Sequence, residues 1–190
     1  MLIDFAAYFH LLFVAMGLGL ALRLDFLFFQ KRWSKVSKVM LADALQSHHM
    51  IITALLGLWV TGLTLIYLRT GFDLGEFAPK VFMKLVVVSL LSVNAVVIST
   101  YVLPVMDRFK DRPLLAIPLA YKLPMAVSAA SSILCWFSAL ALGSMAFFKT
   151  QTWDSLASAF GFVYFVGLLV AISIALWVHV PELKDHAESA

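Results

Sequence analysis

The chain has 190 residues, of which 63% are hydrophobic and 13% are charged, with a formal net charge of +3. Soluble domains are roughly half apolar and a quarter charged, so this composition indicates a protein that lipid solvates. The small net charge gives no indication of nucleic-acid binding, and the single cysteine excludes an intramolecular disulfide. The lipid bilayer is therefore the first expected partner, and nucleic acid is not expected.

Five stretches are apolar over the length of about 20 residues that a membrane-spanning helix needs. In chain order they are residues 5–29, 50–68, 81–106, 123–148 and 156–178. The first stretch lacks the basic leader and the cleavage site of a signal peptide, so we expect it to remain as a helix. The sequence predicts an all-α, polytopic membrane helix bundle of about five transmembrane helices, in a single domain over residues 1–190.

The segments between these stretches differ in character. Residues 30–47 contain apolar positions that could continue the second helix as an amphipathic extension. Pro113 and Pro118 favour a loop over residues 107–122. Small side chains in the fourth stretch predict close helix packing, and Asn94 and Thr100 in the third are candidates for hydrogen bonds between helices.

Lysine and arginine are distributed unevenly between the two sets of loops. The first and third loops and the C-terminal segment hold the majority, namely Lys31, Arg32, Lys35, Lys38, Arg108, Lys110, Arg112, Lys122 and Lys184. The second and fourth loops, with their flanks, hold Arg69, Lys80, Lys84 and Lys149. The positive-inside rule then predicts an N-terminus outside the membrane and a cytoplasmic C-terminus.

Two ionisable residues are expected in the outer third of the membrane. His10 lies about 8 Å below the start of the first span, at 1.5 Å per residue, and Lys84 lies near the start of the third. Ionisable groups inside a membrane mark functional sites by default, and an interior imidazole needs a partner. A lysine one turn into a span also commonly snorkels to the interface, so for Lys84 both interpretations stay open.

The other histidines lie at the opposite membrane face. His48 and His49 open the second span, and His179 closes the fifth. His10 and His48 should be separated by about 20 Å along the membrane normal, so two regular helices cannot bring them to one iron. His48 or His49 could share a haem iron or another metal with His179, or all three could simply be solvated at the headgroup level.

The stretch YFHLLFVAMGLGLALRLDFLFF, which contains His10, resembles the first helix of the bacterial membrane-bound protoporphyrinogen oxidase family. The resemblance extends to two further stretches, HHMIITALLGLWVTGLTLI and KVFMKLVVVSLLSVNAVV. The second of these is similar to a family helix that opens with a lysine. Asn94 followed by LPVMDR also resembles the copper-resistance D-type membrane domain. The likeness covers residues 5–106, and it implies that His10 is associated with haem b and that Lys84 is functionally important. The chain differs from the pattern of the family in three features: a fifth helix, a longer first loop and the His48–His49 pair.

These observations lead to the hypothesis of a membrane-embedded b-type haem redox protein of the bacterial inner (cytoplasmic) membrane. It would oxidise a porphyrin-like or other small apolar substrate and pass electrons to the respiratory chain, with a quinone as a candidate partner. The candidate site residues are Lys84 for catalysis and, for the haem or another metal, His10, His48, His49 and His179. There are two alternatives: a metal-handling or transport protein of the copper-resistance type, and a structural or assembly subunit. A homo-oligomer is also possible on the sequence.

Overall fold

The computed structural model of the chain describes residues 1–188, with side chains for residues 1–177. Within these residues, five long helices are present and no β-strand. The helices are α1 (Leu2–Gln30), α2 (Lys38–Thr70), α3 (Pro79–Arg108), α4 (Leu119–Ser144) and α5 (Trp153–Glu188). All five are long and apolar enough to cross a membrane. The predicted all-α bundle of five spans is confirmed, and the chain has the architecture of a multi-pass membrane protein.

The second helix is longer than its apolar stretch. The Ser37 side chain caps its start by accepting a 3.1 Å hydrogen bond from the Met40 backbone N–H. Gly71, at φ 58°, ends it in the left-handed conformation that glycine adopts at low cost. Met40 and Ala44 are buried, whereas Val39 is exposed, so the predicted amphipathic extension is confirmed and begins at Lys38.

The third helix changes its hydrogen-bond pattern partway along its length. It is α-helical over Pro79–Val97, widens into a π-helical turn over Ile98–Val102, and is α-helical again over Leu103–Arg108. Pro104 lacks a backbone N–H, so it cannot donate to the preceding turn, and the wider turn just before it accommodates this loss. The apolar pattern of this span predicts only one regular helix.

The bounds of the fourth span differ from the prediction. Helix α4 begins at Leu119, directly after Pro118, and ends at Ser144, while Phe148 lies in a short 3-10 turn over Ala146–Lys149. Proline preorganises the start of a helix, and Pro118 does so here instead of extending the loop. Lys122, which the prediction assigned to a loop, therefore lies in the first turn of α4.

Helix α4 occupies the middle of the bundle. It packs against α1, α3 and α5, while α2 packs mainly against α1 and also contacts α3. The buried core between these helices includes Val14, Leu58, Leu91 and Trp136. Close packing depends on small residues, because a Cβ at Gly17 would lie 2.0 Å from the Trp136 ring.

Side-chain hydrogen bonds also join the helices. Asn94 Nδ2 donates to the Ser128 carbonyl oxygen at 3.0 Å, and Ser128 Oγ donates back to Asn94 Oδ1 at 2.9 Å. Both residues are buried at the α3–α4 interface. The predicted interhelical role of Asn94 is thus confirmed. The same prediction for Thr100 is wrong, because its hydroxyl donates to the Val96 carbonyl oxygen of its own helix at 2.8 Å. Between α5 and α4, Tyr164 donates to Ser131 at 2.8 Å.

Candidate functional site

The imidazole of His10 on α1 is held by a threonine on α2. His10 Nδ1 lies 2.9 Å from Thr61 Oγ1, and Thr61 Oγ1 donates its own hydrogen to the Gly57 carbonyl oxygen at 2.6 Å. A hydroxyl has one hydrogen to donate. Because that hydrogen is directed to Gly57 within α2, we assign the His10 Nδ1–H as the donor to Thr61, and this tautomer leaves the lone pair on Nε2.

His10 and Lys84 line the same cavity, which we call the His10 cavity. Its volume is about 180 Å³, and helices α1 to α4 contribute its walls. Arg69, in the last turn of α2, is the third ionisable residue on these walls, and no carboxylate lines them. The remaining walls are mostly apolar, so the His10 cavity combines one imidazole and two cations in a low-polarity environment.

Lys84 has no compensating partner among the described residues. It is partly buried, and within residues 1–177 it forms no hydrogen bond and no ion pair. Its neighbour Lys80 is different, because the Lys80 ammonium donates a 2.9 Å hydrogen bond to the Met145 carbonyl oxygen. A cation without a counter-charge inside a membrane span is costly. The His10 cavity is therefore suited to a ligand that carries negative charge.

His48 lines a second cavity, near the opposite end of the bundle. Ser99 Oγ donates to the Ala95 carbonyl oxygen at 3.0 Å and lies 2.7 Å from His48 Nε2. By the same reasoning as for Thr61, His48 Nε2–H donates to Ser99, and the lone pair is on Nδ1. Ser99 belongs to the π-helical turn of α3. This irregular turn thus helps to position a buried histidine.

The second cavity, which we call the His48 cavity, has a volume of about 250 Å³. Two further ionisable residues line it, Asp25 near the end of α1 and Lys122 in the first turn of α4. The Lys122 ammonium donates to the Leu115 carbonyl oxygen. Asp25 has no hydrogen bond or ion pair within the described part of the chain. The other residues that line the His48 cavity are almost entirely apolar.

The predicted site residues therefore fall into separate groups. His10 and Lys84 come together, whereas His48 lies in the other cavity. His49 is exposed on α2, because successive helical residues point about 100° apart. The side chain of His179 lies outside the described residues, so its pairing with His48 or His49 stays a prediction. Among the described residues, no group of three or more His, Cys, Asp or Glu side chains could hold a metal ion.

Four residues that line these cavities or bond to their histidines were not predicted as site residues from the sequence. Arg69 and Lys122 were counted only as loop charges, and Thr61 and Ser99 were not identified as histidine partners. Both hydroxyl residues lie within apolar stretches, where serine and threonine commonly bond to their own helix. The polarity of Thr61 inside a span was the available signal, but its partner on α1 depends on helix packing.

Comparisons with protein-family models, with curated proteins and with solved structures find no match for this chain. The resemblance to the protoporphyrinogen oxidase family and to the copper-resistance D-type domain accordingly stays a prediction. The geometry of the two cavities is therefore the basis on which a function can be proposed.

Proposed function

We propose that the chain is a redox protein of the bacterial cytoplasmic membrane that binds b-type haem at the His10 cavity. The observation that carries this proposal is the hydrogen bond from His10 Nδ1 to Thr61, beside the uncompensated charge of Lys84. The lysine and arginine distribution supports an orientation with the N-terminus outside. The His10 cavity then lies in the outer half of the membrane.

His10 would supply the axial ligand through Nε2. Histidine ligands generally donate their other ring N–H to a neighbouring acceptor, which fixes both the tautomer and the ring orientation. Thr61 provides this acceptor, and the bond from Thr61 to Gly57 fixes the direction in which its hydroxyl points. The tautomer and orientation of the His10 imidazole would thus suit an iron ligand before any cofactor binds.

Lys84 and Arg69 would hold the two propionates of a haem. Each cation lines the His10 cavity, and no acidic side chain on its walls competes for them. Ion pairs strengthen where the dielectric constant is low, so a propionate next to Lys84 would remove the cost of the unpaired ammonium. The donor set of the cavity fits a b-type haem: one imidazole nitrogen, two cations and apolar walls.

The volume of the His10 cavity is smaller than a whole haem requires. Pockets for drug-sized ligands measure roughly 300–1,000 Å³, so the 180 Å³ of the His10 cavity enclose only part of a porphyrin. Leu11 and Leu63, which line the cavity, are 59% and 41% exposed. The cavity is therefore open to the lipid between α1 and α2, and this side would have to accommodate the remainder of the macrocycle.

When bound, a b-type haem supplies one-electron transfer. The residues of this chain would orient the macrocycle, neutralise its propionates and exclude water from it with their apolar walls. A porphyrin-like or other small apolar substrate could approach through the lipid-facing opening. Electrons would then pass to the respiratory chain, for which a quinone is the candidate acceptor.

Optical spectra of the purified protein, with and without added haem, test the proposal. We expect a Soret band and sharp α and β bands on reduction in the wild type. His10→Ala should lose these bands while still inserting into the membrane. His49→Ala is the matched control, because it removes an exposed imidazole on α2, and it should keep the wild-type spectrum.

Four other outcomes would contradict the proposal. If His10→Ala kept its full haem content, the haem would have to bind elsewhere. If only His48→Ala lost the haem, the haem would be assigned to the His48 cavity. Bound copper without haem would favour the metal-handling alternative. A wild-type protein that binds neither would favour the structural or assembly alternative.

A further inference from the structure

The His48 cavity is separate from the proposed haem site and has its own chemistry. Its ionisable residues come from three helices: Asp25 from α1, His48 from α2 and Lys122 from α4. The residues that line it are otherwise apolar, among them Leu24, Phe28 and Ile51. An apolar cavity with a few convergent polar groups is the usual form of a small-molecule binding site.

The volume of the His48 cavity indicates how large a part of a ligand it can enclose. An engineered cavity of roughly 150 Å³ holds benzene, so the 250 Å³ found here correspond, at the same density, to on the order of ten non-hydrogen atoms. This is the size of one ring with several small substituents. A long polar molecule is excluded, because the apolar walls offer it few partners.

Two of the polar residues that line the cavity, His48 and Asp25, present hydrogen-bond acceptors. His48 Nε2–H is committed to Ser99, whose own hydrogen goes to Ala95, so Nδ1 presents a lone pair. Asp25 adds carboxyl oxygens that have no partner within the described residues. Each acceptor gains from a hydrogen bond in these apolar surroundings, so a ligand that donates to both atoms is favoured.

We propose that the His48 cavity binds a quinol, a lipid-soluble single ring whose hydroxyl groups donate hydrogen bonds to His48 Nδ1 and to Asp25. Three properties of the cavity lead to this class: its one-ring volume, its apolar walls inside a membrane span, and its two acceptors. A hydrocarbon of the same size fits less well, because it leaves both acceptors without a hydrogen-bond donor. This binding site does not require that haem binds at His10.

Two ligands that differ only in methylation of their hydroxyl groups test the proposal. One is 2,3,5-trimethylhydroquinone, kept reduced under anaerobic conditions, and the other is its dimethyl ether, which has no hydroxyl hydrogen to donate. Binding is measured by calorimetry with the full chain in nanodiscs, and empty nanodiscs correct for partition into lipid. We expect saturable binding of the quinol and binding of the ether that is at least tenfold weaker.

Variants then assign the two acceptors. His48→Ala and Asp25→Leu each remove one acceptor, so each should weaken quinol binding about tenfold and reduce its advantage over the ether, as expected when one hydrogen bond is lost. His49→Ala is the control and should bind as the wild type does. Equal binding of the two ligands by the wild type would overturn the proposal, even if no variant folded. An undiminished preference for the quinol in both variants would also overturn it.

The haem spectrum separates this proposal from the preceding one. His48→Ala and Asp25→Leu should keep any Soret band that depends on His10. Loss of quinol binding with an unchanged haem spectrum supports two independent sites. Absence of haem from the wild type, together with saturable quinol binding, would contradict the haem proposal alone.

Discussion

Gly17 of α1 lies directly against the indole ring of Trp136 of α4. A Cβ at residue 17 would lie 2.0 Å from Trp136 Cη2, well inside van der Waals contact. Trp136 is only 1% exposed, so its ring has no free space into which it could move. The contact between α1 and α4 therefore depends on the absence of a side chain at residue 17.

Gly17→Ala should destabilise the bundle, because the added methyl group overpacks a filled core at a cost of typically about 1–3 kcal/mol. Gly19→Ala is the matched control on the same helix. A Cβ at residue 19 would meet nothing within 4 Å, and alanine favours helix by about 1 kcal/mol over glycine. Thermal unfolding in detergent, followed by circular dichroism, should show a lower midpoint for Gly17→Ala only. Equal midpoints would contradict the close contact between Gly17 and Trp136.

Removal of the reciprocal hydrogen bonds between Asn94 and Ser128 should destabilise the bundle less than Gly17→Ala does. Asn94→Leu should lower the free energy of unfolding by about 1–2 kcal/mol, the range that peptide studies give for such bonds between membrane helices. Thr100→Val is the control, because Thr100 is exposed and its hydroxyl bonds only to Val96 of its own helix. Unfolding by titration with SDS measures both variants. An effect of Thr100→Val as large as that of Asn94→Leu would argue against a specific role for the interhelical pair.

The spans were predictable because lipid imposes a strong pattern on sequence: each helix needs an apolar stretch of about 20 residues. The ends were less predictable, because local capping decides them. Pro118 starts α4 and Ser37 starts α2, and neither residue lies in an apolar stretch. The π-helical turn before Pro104 was also missed, since a proline in a span does not by itself indicate how the chain accommodates it.

The grouping of His10 with Lys84 was predictable from depth, because each residue lies near the start of its own span. The partners of these residues were not. Thr61 approaches His10 only because α1 and α2 pack side by side, and no spacing along the chain encodes this packing. For the same reason Asp25 and His48 meet in one cavity, although the sequence shows only that they lie at a similar depth.

Orientation in the membrane gives the third prediction. The lysine and arginine distribution places the loop that contains Ser34 in the cytoplasm. A cysteine at Ser34, in a Cys135→Ala background, should resist a membrane-impermeant thiol reagent in intact cells and react after the cells are opened. Ser34 is exposed, so lack of reaction in opened cells would indicate misfolding. Rapid labelling of intact cells would reverse the orientation, and with it the assignment of the His10 cavity to the outer half.

Lys84 gives the fourth prediction. Lys84→Met removes the unpaired charge from the His10 cavity and should weaken haem binding about tenfold, because a propionate would lose its counter-ion. Lys84→Arg keeps the charge but adds a larger, planar group, so it should impair activity more than insertion. Lys149→Met, at an exposed position near the same end of the bundle, is the control. If both Lys84 variants match this control in haem titrations and in activity, Lys84 serves only to anchor α3 at the interface.

Thr61 is a positioning residue for His10, and it gives the fifth prediction. Thr61→Val removes the hydroxyl with little change in volume, so His10 Nδ1 loses its acceptor and the imidazole is no longer restricted to one tautomer. Loss of such an outer partner typically lowers metal affinity about 10- to 100-fold. Thr61→Ser keeps a hydroxyl that can bond to the Gly57 carbonyl and still accept from His10, so it should restore haem affinity and the midpoint potential.

Thr64→Val is the control for a general effect of removing a hydroxyl from α2. Thr64 bonds only to the Val60 carbonyl of its own helix at 2.8 Å, so its loss should leave the haem titration and the midpoint potential unchanged. A merely structural role for Thr61 would lower the unfolding midpoint in Thr61→Val and leave the spectrum and potential as in the wild type. Because the His10–Thr61 bond fixes which nitrogen carries the lone pair, that result would remove the main support for an iron ligand at His10.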